Sequence, residues 1–239
     1  FKNNAQWHKF AKLLSYHQGD FNKPEGFQSL AEKLYVSNNE QTQCFNRLLY
    51  LATPPNLYHS ILDNIERFDL NKSCAGEIEN GWTRILIEKP FGNDLQTAMD
   101  LDNRLAQLFH ERQIFRIDHY LGKDAIQNIL TFRFGNPIFE PVWNRNYIEK
   151  IEIKILETIG VEGRGAFYND IGALRDVGQN HLLQMLAITA MEPPYSFQDQ
   201  AVRDERSKVL KAIRPISMHE VPLYTIRGQY RGYLQEKNI

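Results

Sequence analysis

No Gly-x-Gly-x-x-Gly or other phosphate loop occurs in this chain of 239 residues, so the sequence carries no self-contained fingerprint for a dinucleotide. No apolar run approaches the ~18 residues that a membrane-spanning helix requires, and no signal peptide opens the chain. The cysteines number 2, Cys44 and Cys74, too few for a disulfide framework, and a reducing compartment is the simpler reading. Neither sign of charge is in excess: Lys+Arg 28 against Asp+Glu 29 leaves a net charge of -1. That balance gives no support for nucleic-acid binding, and an anionic ligand has to be held by a local cluster rather than a global field. The chain starts at Phe1 and stops at Ile239 without a terminal signal, and reads as part of a longer protein.

What is present is ordinary for a soluble globular chain: 42% apolar and 24% charged residues. Trp7, Phe10, Leu13 and Leu14 recur at helical spacing, and Gln28 to Leu34 reads as a second helix. From Arg47 a stronger pattern begins. Leu48–Ala52 is an apolar run stopped by Thr53-Pro54-Pro55, and a helix with Leu57, Ile61, Leu62 and Ile65 follows. Ile85-Leu86-Ile87 is stopped by Glu88-Lys89-Pro90-Phe91-Gly92. Asp94 then caps a helix with Leu95, Ala98, Leu101, Leu105 and Leu108 on one face. Ile114–Ile117 is the third run. Strand, helix, strand, helix, strand predicts a parallel, Rossmann-like α/β sheet whose continuous apolar strands are covered on both faces.

Beyond about residue 135 the period changes. Ile151, Ile153 and Ile155 alternate with Glu152 and Lys154, which predicts an antiparallel strand in an α+β domain. A long helix is expected from Asn169 or Asp170 with Leu174, His181, Met185 and Ile188 along one stripe, and another over residues 201–213. The domain boundary is expected near Asn136-Pro137, giving domains 1–136 and 137–239. Gly160 to Gly165 reads as a turn, because no helix is expected to start at its last glycine.

Chemistry concentrates in Arg116-Ile117-Asp118-His119-Tyr120-Leu121-Gly122-Lys123. A carboxylate, an imidazole, a phenol and an ammonium fall within six residues at the carboxyl end of a strand, where ligands bind in α/β sheets. Lys89 follows a strand and suits a phosphate or a polarised hydroxyl, with a snorkelling surface lysine as the bland alternative. Pro90 is a candidate for a cis bond. His181 is either a satisfied core histidine or a general base, and Asp118 on the other domain is its candidate orienting partner. Asp176 lies five positions earlier; five steps of a regular helix separate the two by roughly 140°, so they flank one cleft without aiming at one atom. Glu157 ends its strand and either binds sugar hydroxyls or is simply solvated.

Taken together, Glu88–Gly92, Arg116–Lys123, Gly163-Arg164-Gly165 and Asp176–Met185 resemble the glucose-6-phosphate dehydrogenase family in order and spacing, over nearly the whole chain from Cys44 to Lys211. The resemblance implies oxidation of glucose 6-phosphate at C1 with reduction of NADP, the entry to the oxidative pentose phosphate pathway. It implies His181 as the general base, with Asp118 orienting it. His119, Tyr120 and Lys123 match the substrate-phosphate site, and Glu157 and Asp176 the sugar-hydroxyl ligands. Lys89 matches a lysine that reaches substrate and coenzyme, and Tyr50 and Pro90 match coenzyme-side positions. It implies a cytoplasmic homodimer or homotetramer with no metal, no membrane and no nucleic-acid partner. The family's glycine-rich coenzyme loop and its later substrate-contacting part are missing, so the chain by itself is expected to be inactive. Two other readings compete: a related sugar or inositol dehydrogenase, and a non-catalytic sugar-phosphate sensor.

Overall fold

The computed structural model describes residues 5–39, 46–72, 81–92 and 94–239, without the side chains of 36–39 and 170. Cys44 and Cys74 lie outside the described residues. The chain divides into two compact units, Phe1–Ile117 and Asp118–Ile239.

The first unit is built on three parallel strands, β1 (Arg47–Leu51), β2 (Thr83–Ile87) and β3 (Ile114–Arg116), in that spatial order. Leu49 faces Ile85, which in turn faces Ile114, and Leu51 faces Ile87, so the apolar residues of one face stand in register. Helix α3 (Tyr58–Arg67) connects β1 to β2, and α4 (Leu95–Leu108) connects β2 to β3. Ile61, Leu62 and Ile65 of α3 and Leu101, Leu105 and Leu108 of α4 are buried in one core with Leu51, Ile85, Ile87 and Ile114. Each helix therefore lays the 3.6-period stripe legible in its sequence onto the sheet. Two crossovers of the same hand progressing in one direction bring both helices to one face. Arg104 of α4 ties that layer together, reaching Asp63 and Glu66 of α3 at 2.7 Å. Leu48 and Tyr50 on the other face are about half exposed, so the expectation that both faces are covered is not met among the described residues.

Local signals explain the ends. Asp94 accepts from the Thr97 amide at 2.8 Å while the Thr97 hydroxyl pairs with the Asp94 amide, a reciprocal cap on α4. Gly92 has φ +80, and a Cβ there would lie 2.4 Å from the Ala98 nitrogen, so only glycine fits. The two N-terminal helices differ from the reading of their spacing. Helix α1 (Ala5–Ala11) stops before Leu13 and Leu14, both exposed, and α2 (Pro24–Asn39) is longer than expected. An apolar period without a buried partner does not extend a helix; Trp7 and Phe10 remain 44% and 50% exposed.

In the second unit, α5 (Asp124–Phe134), α6 (Gly165–Ala173), a π-helical segment (Leu174–Leu182), α7 (Leu183–Ala190) and α8 (Asp199–Ala212) follow in order, and a short α9 (Val221–Tyr224) comes later. Helix α6 starts at Gly165, so the Gly160–Gly165 turn runs straight into a helix, contrary to expectation and ahead of Asn169. Residues 151–157 form no strand, and the described residues of this unit hold no sheet. A strand needs a neighbour to take its backbone hydrogen bonds, whatever its side-chain alternation. The segment has no such neighbour among the described residues.

The unit is organised by Arg133 of α5, 2% exposed. Its guanidinium donates to the carbonyls of Ile188, Thr189 and Met191 at 3.2, 2.9 and 2.8 Å, and pairs with Glu140 at 3.3 Å. Those carbonyls belong to the end of α7, where no intrahelical donor remains and a cation is favoured by the helix dipole. Burial lowers the pKa of Arg133, and Glu140 counteracts it. This link ties α5 to α7 within the second compact unit. Arg133→Met is expected to cost about 3 kcal/mol or more in urea unfolding, because it strands buried carbonyls and the Glu140 carboxylate. A cost below about 1 kcal/mol would show that solvent replaces the guanidinium.

Candidate functional site

Asp118 follows β3 and makes its own turn. Its Oδ1 accepts the Tyr120 amide at 3.0 Å, which caps a short turn over His119–Gly122. The same oxygen lies 2.6 Å from Nδ1 of His181. With the carboxylate as acceptor, Nδ1 is the donor, and in the neutral imidazole that assignment leaves the lone pair on Nε2. His181 is 2% exposed, and its bonded partner is a side-chain carboxylate. Both residues lie in the second compact unit.

The rest of the Arg116–Lys123 stretch gathers on the same imidazole. The Tyr120 ring stacks on His181, with centroids 3.8 Å apart and an interplanar angle of 18°. His119 meets His181 edge-on at 4.7 Å. The Lys123 Nζ lies 3.6 Å from the Tyr120 ring centroid, a cation–π contact. His119 and Lys123 are exposed, so two donors stand at the solvent side of a buried imidazole. Donor atoms of Asp118, His119 and His181 all lie within 4.8 Å of one another.

Asp176 and His181 are both buried, at 7% and 2%. A regular helix would set them roughly 140° apart. The structure corrects it: Leu174–Leu182 is π-helical, with the Leu183 amide reaching Gly178 O. A π-helix closes i→i+5 rings, so residues five apart stack on one side. Gly172, at φ +71 and ψ 168, breaks the preceding helix in a conformation that favours glycine. The Asn180 amide donates to the Arg175 and Asp176 carbonyls at 3.0 and 3.4 Å, satisfying groups that the wider turn displaces. The same widening removes the single stripe: Leu174 is 71% exposed while His181 and Ile188 are buried.

Glu157 is exposed. Like Asp176, it acts on Tyr168, whose pKa is raised first by burial, then by Tyr233, Asp176 and Glu157. Sequence reasoning missed Tyr168 and also Arg206 on α8. The Arg206 guanidinium donates to the Gln184 side chain, and its Nε is buried without a partner. Burial and Arg203 lower its pKa, while the Asp118 carboxylate acts against them. Asp118 Oδ2 is likewise buried without a partner. Neither residue stands in a motif, so no local signal could have found them.

In the first unit, Tyr50, Lys89 and Pro90 lie at the carboxyl ends of β1 and β2. The Lys89–Pro90 peptide bond is cis. Tyr50 donates its hydroxyl to the Glu88 carboxylate, and this bond raises the phenol's pKa. The hydroxyl of buried Tyr58 donates to the Glu88 carbonyl at 3.2 Å. Thr53, just past β1, has a buried hydroxyl without a partner. An ammonium, a phenol and an unsatisfied hydroxyl at this edge fit the phosphate and ribose groups of a nucleotide.

Residues 1–128 match the family model described as the glucose-6-phosphate dehydrogenase NAD binding domain, and residues 130–239 match the one described as the C-terminal domain of that enzyme. Both matches are to domains of a dehydrogenase, and the three-stranded parallel sheet is consistent with a Rossmann-like coenzyme domain. Among curated relatives, glucose-6-phosphate 1-dehydrogenase 6, cytoplasmic, of Arabidopsis thaliana is 45% identical over 97% of this chain and 44% of its own length. Glucose-6-phosphate 1-dehydrogenase of Aggregatibacter actinomycetemcomitans is 48% identical over 81% of this chain and 40% of its own. A solved structure titled as glucose-6-phosphate dehydrogenase in complex with its substrate glucose-6-phosphate superposes with a TM-score of 0.82 at 37% identity, covering 100% of this chain and 49% of that one. The chain belongs to the glucose-6-phosphate dehydrogenase family. It spans less than half the length of these curated relatives.

The Asp118–His181 pairing predicts a hydrogen-bonded Nδ1 proton of His181, observable by proton NMR at low field. Asp118→Ala is expected to remove that resonance while the amide spectrum of the rest of the unit is kept. Persistence of the signal in Asp118→Ala would show that the proton has another acceptor.

Proposed function

We propose that a protein carrying this chain oxidises glucose 6-phosphate at C1 to 6-phosphogluconolactone, with NADP as coenzyme, as the first step of the oxidative pentose phosphate pathway. The observation that carries the reading is the buried His181 imidazole with its Nδ1 held 2.6 Å from Asp118, because it leaves Nε2 as a proton acceptor of fixed orientation. NADP, when bound, supplies the hydride acceptor. His181 Nε2 takes the proton of the C1 hydroxyl, and Asp118 stabilises the imidazolium that forms. His119, Tyr120 and Lys123 hold the 6-phosphate through charge-assisted donors. Asp176 and Glu157 accept from sugar hydroxyls; in support, both act on Tyr168. On the coenzyme side we place Lys89, Tyr50 and Pro90, with Lys89 also reaching substrate.

We assign residues 1–136 to the coenzyme domain and 137–239 to part of a substrate and dimerisation domain with a mainly antiparallel sheet. The alternation of Ile151, Ile153 and Ile155 with Glu152 and Lys154 supports one of its strands. A homodimer or homotetramer is proposed as well, in keeping with exposed Met218, Leu223 and Ile226 in the second unit. Among the described residues no helix is long and apolar enough to cross a membrane, and a cytoplasmic location is proposed.

Two substitutions in a full-length family member carrying this sequence test the roles. His181→Asn is expected to lower kcat by about 10²–10⁴-fold in the coenzyme-reduction assay, with little change in substrate affinity. Residual turnover within about threefold of the parent would sink the base assignment. Lys123→Ala is expected to raise KM for glucose 6-phosphate far more than KM for NADP, by the ~1.5–3 kcal/mol of a hydrogen bond to a charged group. Unchanged discrimination between glucose and glucose 6-phosphate would remove Lys123 from the phosphate site.

A further inference from the structure

We propose that Asp118, His119 and His181 form a zinc site, so that the protein takes up a zinc ion at the imidazole assigned above as the base. No metal was expected from the sequence, where the three residues read as a base, its orienter and a phosphate donor. The structure adds their convergence. One donor atom from each lies within 4.8 Å of the other two. Ligands around tetrahedral zinc stand roughly 3.3 Å apart, given metal–ligand distances of about 2.0–2.2 Å. Asp118 Oδ1 and His181 Nδ1, at 2.6 Å, have to open slightly, and zinc then takes the place of their shared proton. His119 has to close in, which its exposure and single side-chain swing permit.

The donor chemistry selects the metal. Two imidazoles and one carboxylate, with a fourth position for water, form a three-ligand set typical of zinc. Hard cations prefer all-oxygen ligands, so magnesium and calcium gain little from two ring nitrogens. A further observation points to a ligand at this place: Asp118 Oδ2 is buried and has no hydrogen-bond partner. The unused oxygen lets the carboxylate reach the ion while Oδ1 keeps the Tyr120 amide, so the contact given up is the proton shared with His181.

Opposing charges set the strength. Lys123 sits over the Tyr120 ring that stacks on His181, and Arg206 lies in the field of Asp118. Two cations nearby weaken a divalent ion, so the site is a reversible one that a chelator empties, not a structural centre. Metal uptake does not depend on the proposed function. Its consequence does: an occupied His181 cannot accept a proton, and zinc acts as an inhibitor competitive with the sugar phosphate.

The test is isothermal titration of chelator-treated protein with zinc chloride, beside cobalt(II) absorption as a probe of coordination. One zinc per chain is expected, with visible bands of tetrahedral cobalt and no displacement by excess magnesium. His119→Ala, a surface change that leaves the Asp118–His181 bond in place, is expected to weaken zinc by about tenfold or more. His219→Ala and the Cys44→Ser, Cys74→Ser pair are expected to leave it unchanged. Unaltered affinity in His119→Ala, or loss of binding in the cysteine pair, overturns the proposal. If zinc binds as described yet does not raise the apparent KM for glucose 6-phosphate in an active full-length protein, the inhibitory role is overturned while the site stands. Absence of turnover with intact zinc binding would instead fall on the proposed function.

Discussion

A carboxylate oxygen 2.6 Å from a buried imidazole nitrogen is the contact on which the second unit's site depends. Asp118 leaves the end of a strand, and His181 comes from a helix far along the chain. Their bond sets the ring's orientation and its proton, and the ring in turn gives Tyr120 a face to stack on. Lys123 is brought over that phenol by the turn that Asp118 itself caps. One oxygen, Oδ1, accepts both the backbone amide of the turn and the imidazole. The local cap and the long-range contact are therefore the same anchor.

The supporting structure is arranged around two unusual features of the helices. The first is the π-helical segment that delivers His181 and Asp176 to one side. Such a wide turn loses packing and hydrogen-bond quality relative to an α-helix, and the Asn180 side chain offsets part of that loss. The second is Arg133, whose burial at the end of α7 holds that helix against α5. The segment carrying His181 continues into α7, so the same guanidinium fixes the far end of that helix.

Much of the first unit was legible in order. Three apolar runs became three parallel strands, and Asp94 capped the helix that its position announced. These features depend on residues close in sequence, where period and capping chemistry suffice. The open face of the sheet was not legible: a continuous apolar strand has the same pattern whether one or both of its faces find a partner. For the same reason Ile151, Ile153 and Ile155 spelled a strand that has no neighbour among the described residues.

The sequence by itself determined the chemical inventory: carboxylate, imidazole, phenol and ammonium in one short stretch, a lysine before a proline, and a histidine on a helix. Covalent order places these groups, and family resemblance of the motifs says which belong together. Tertiary structure decided three further matters: that Asp118 shares a compact unit with His181, that Asp176 lies on the same side as His181, and that Arg206 stands in the field of Asp118. Each depends on a helix geometry or a contact across many residues. Such arrangements follow from where buried donors and acceptors find partners in the folded unit, and no local spacing encodes them.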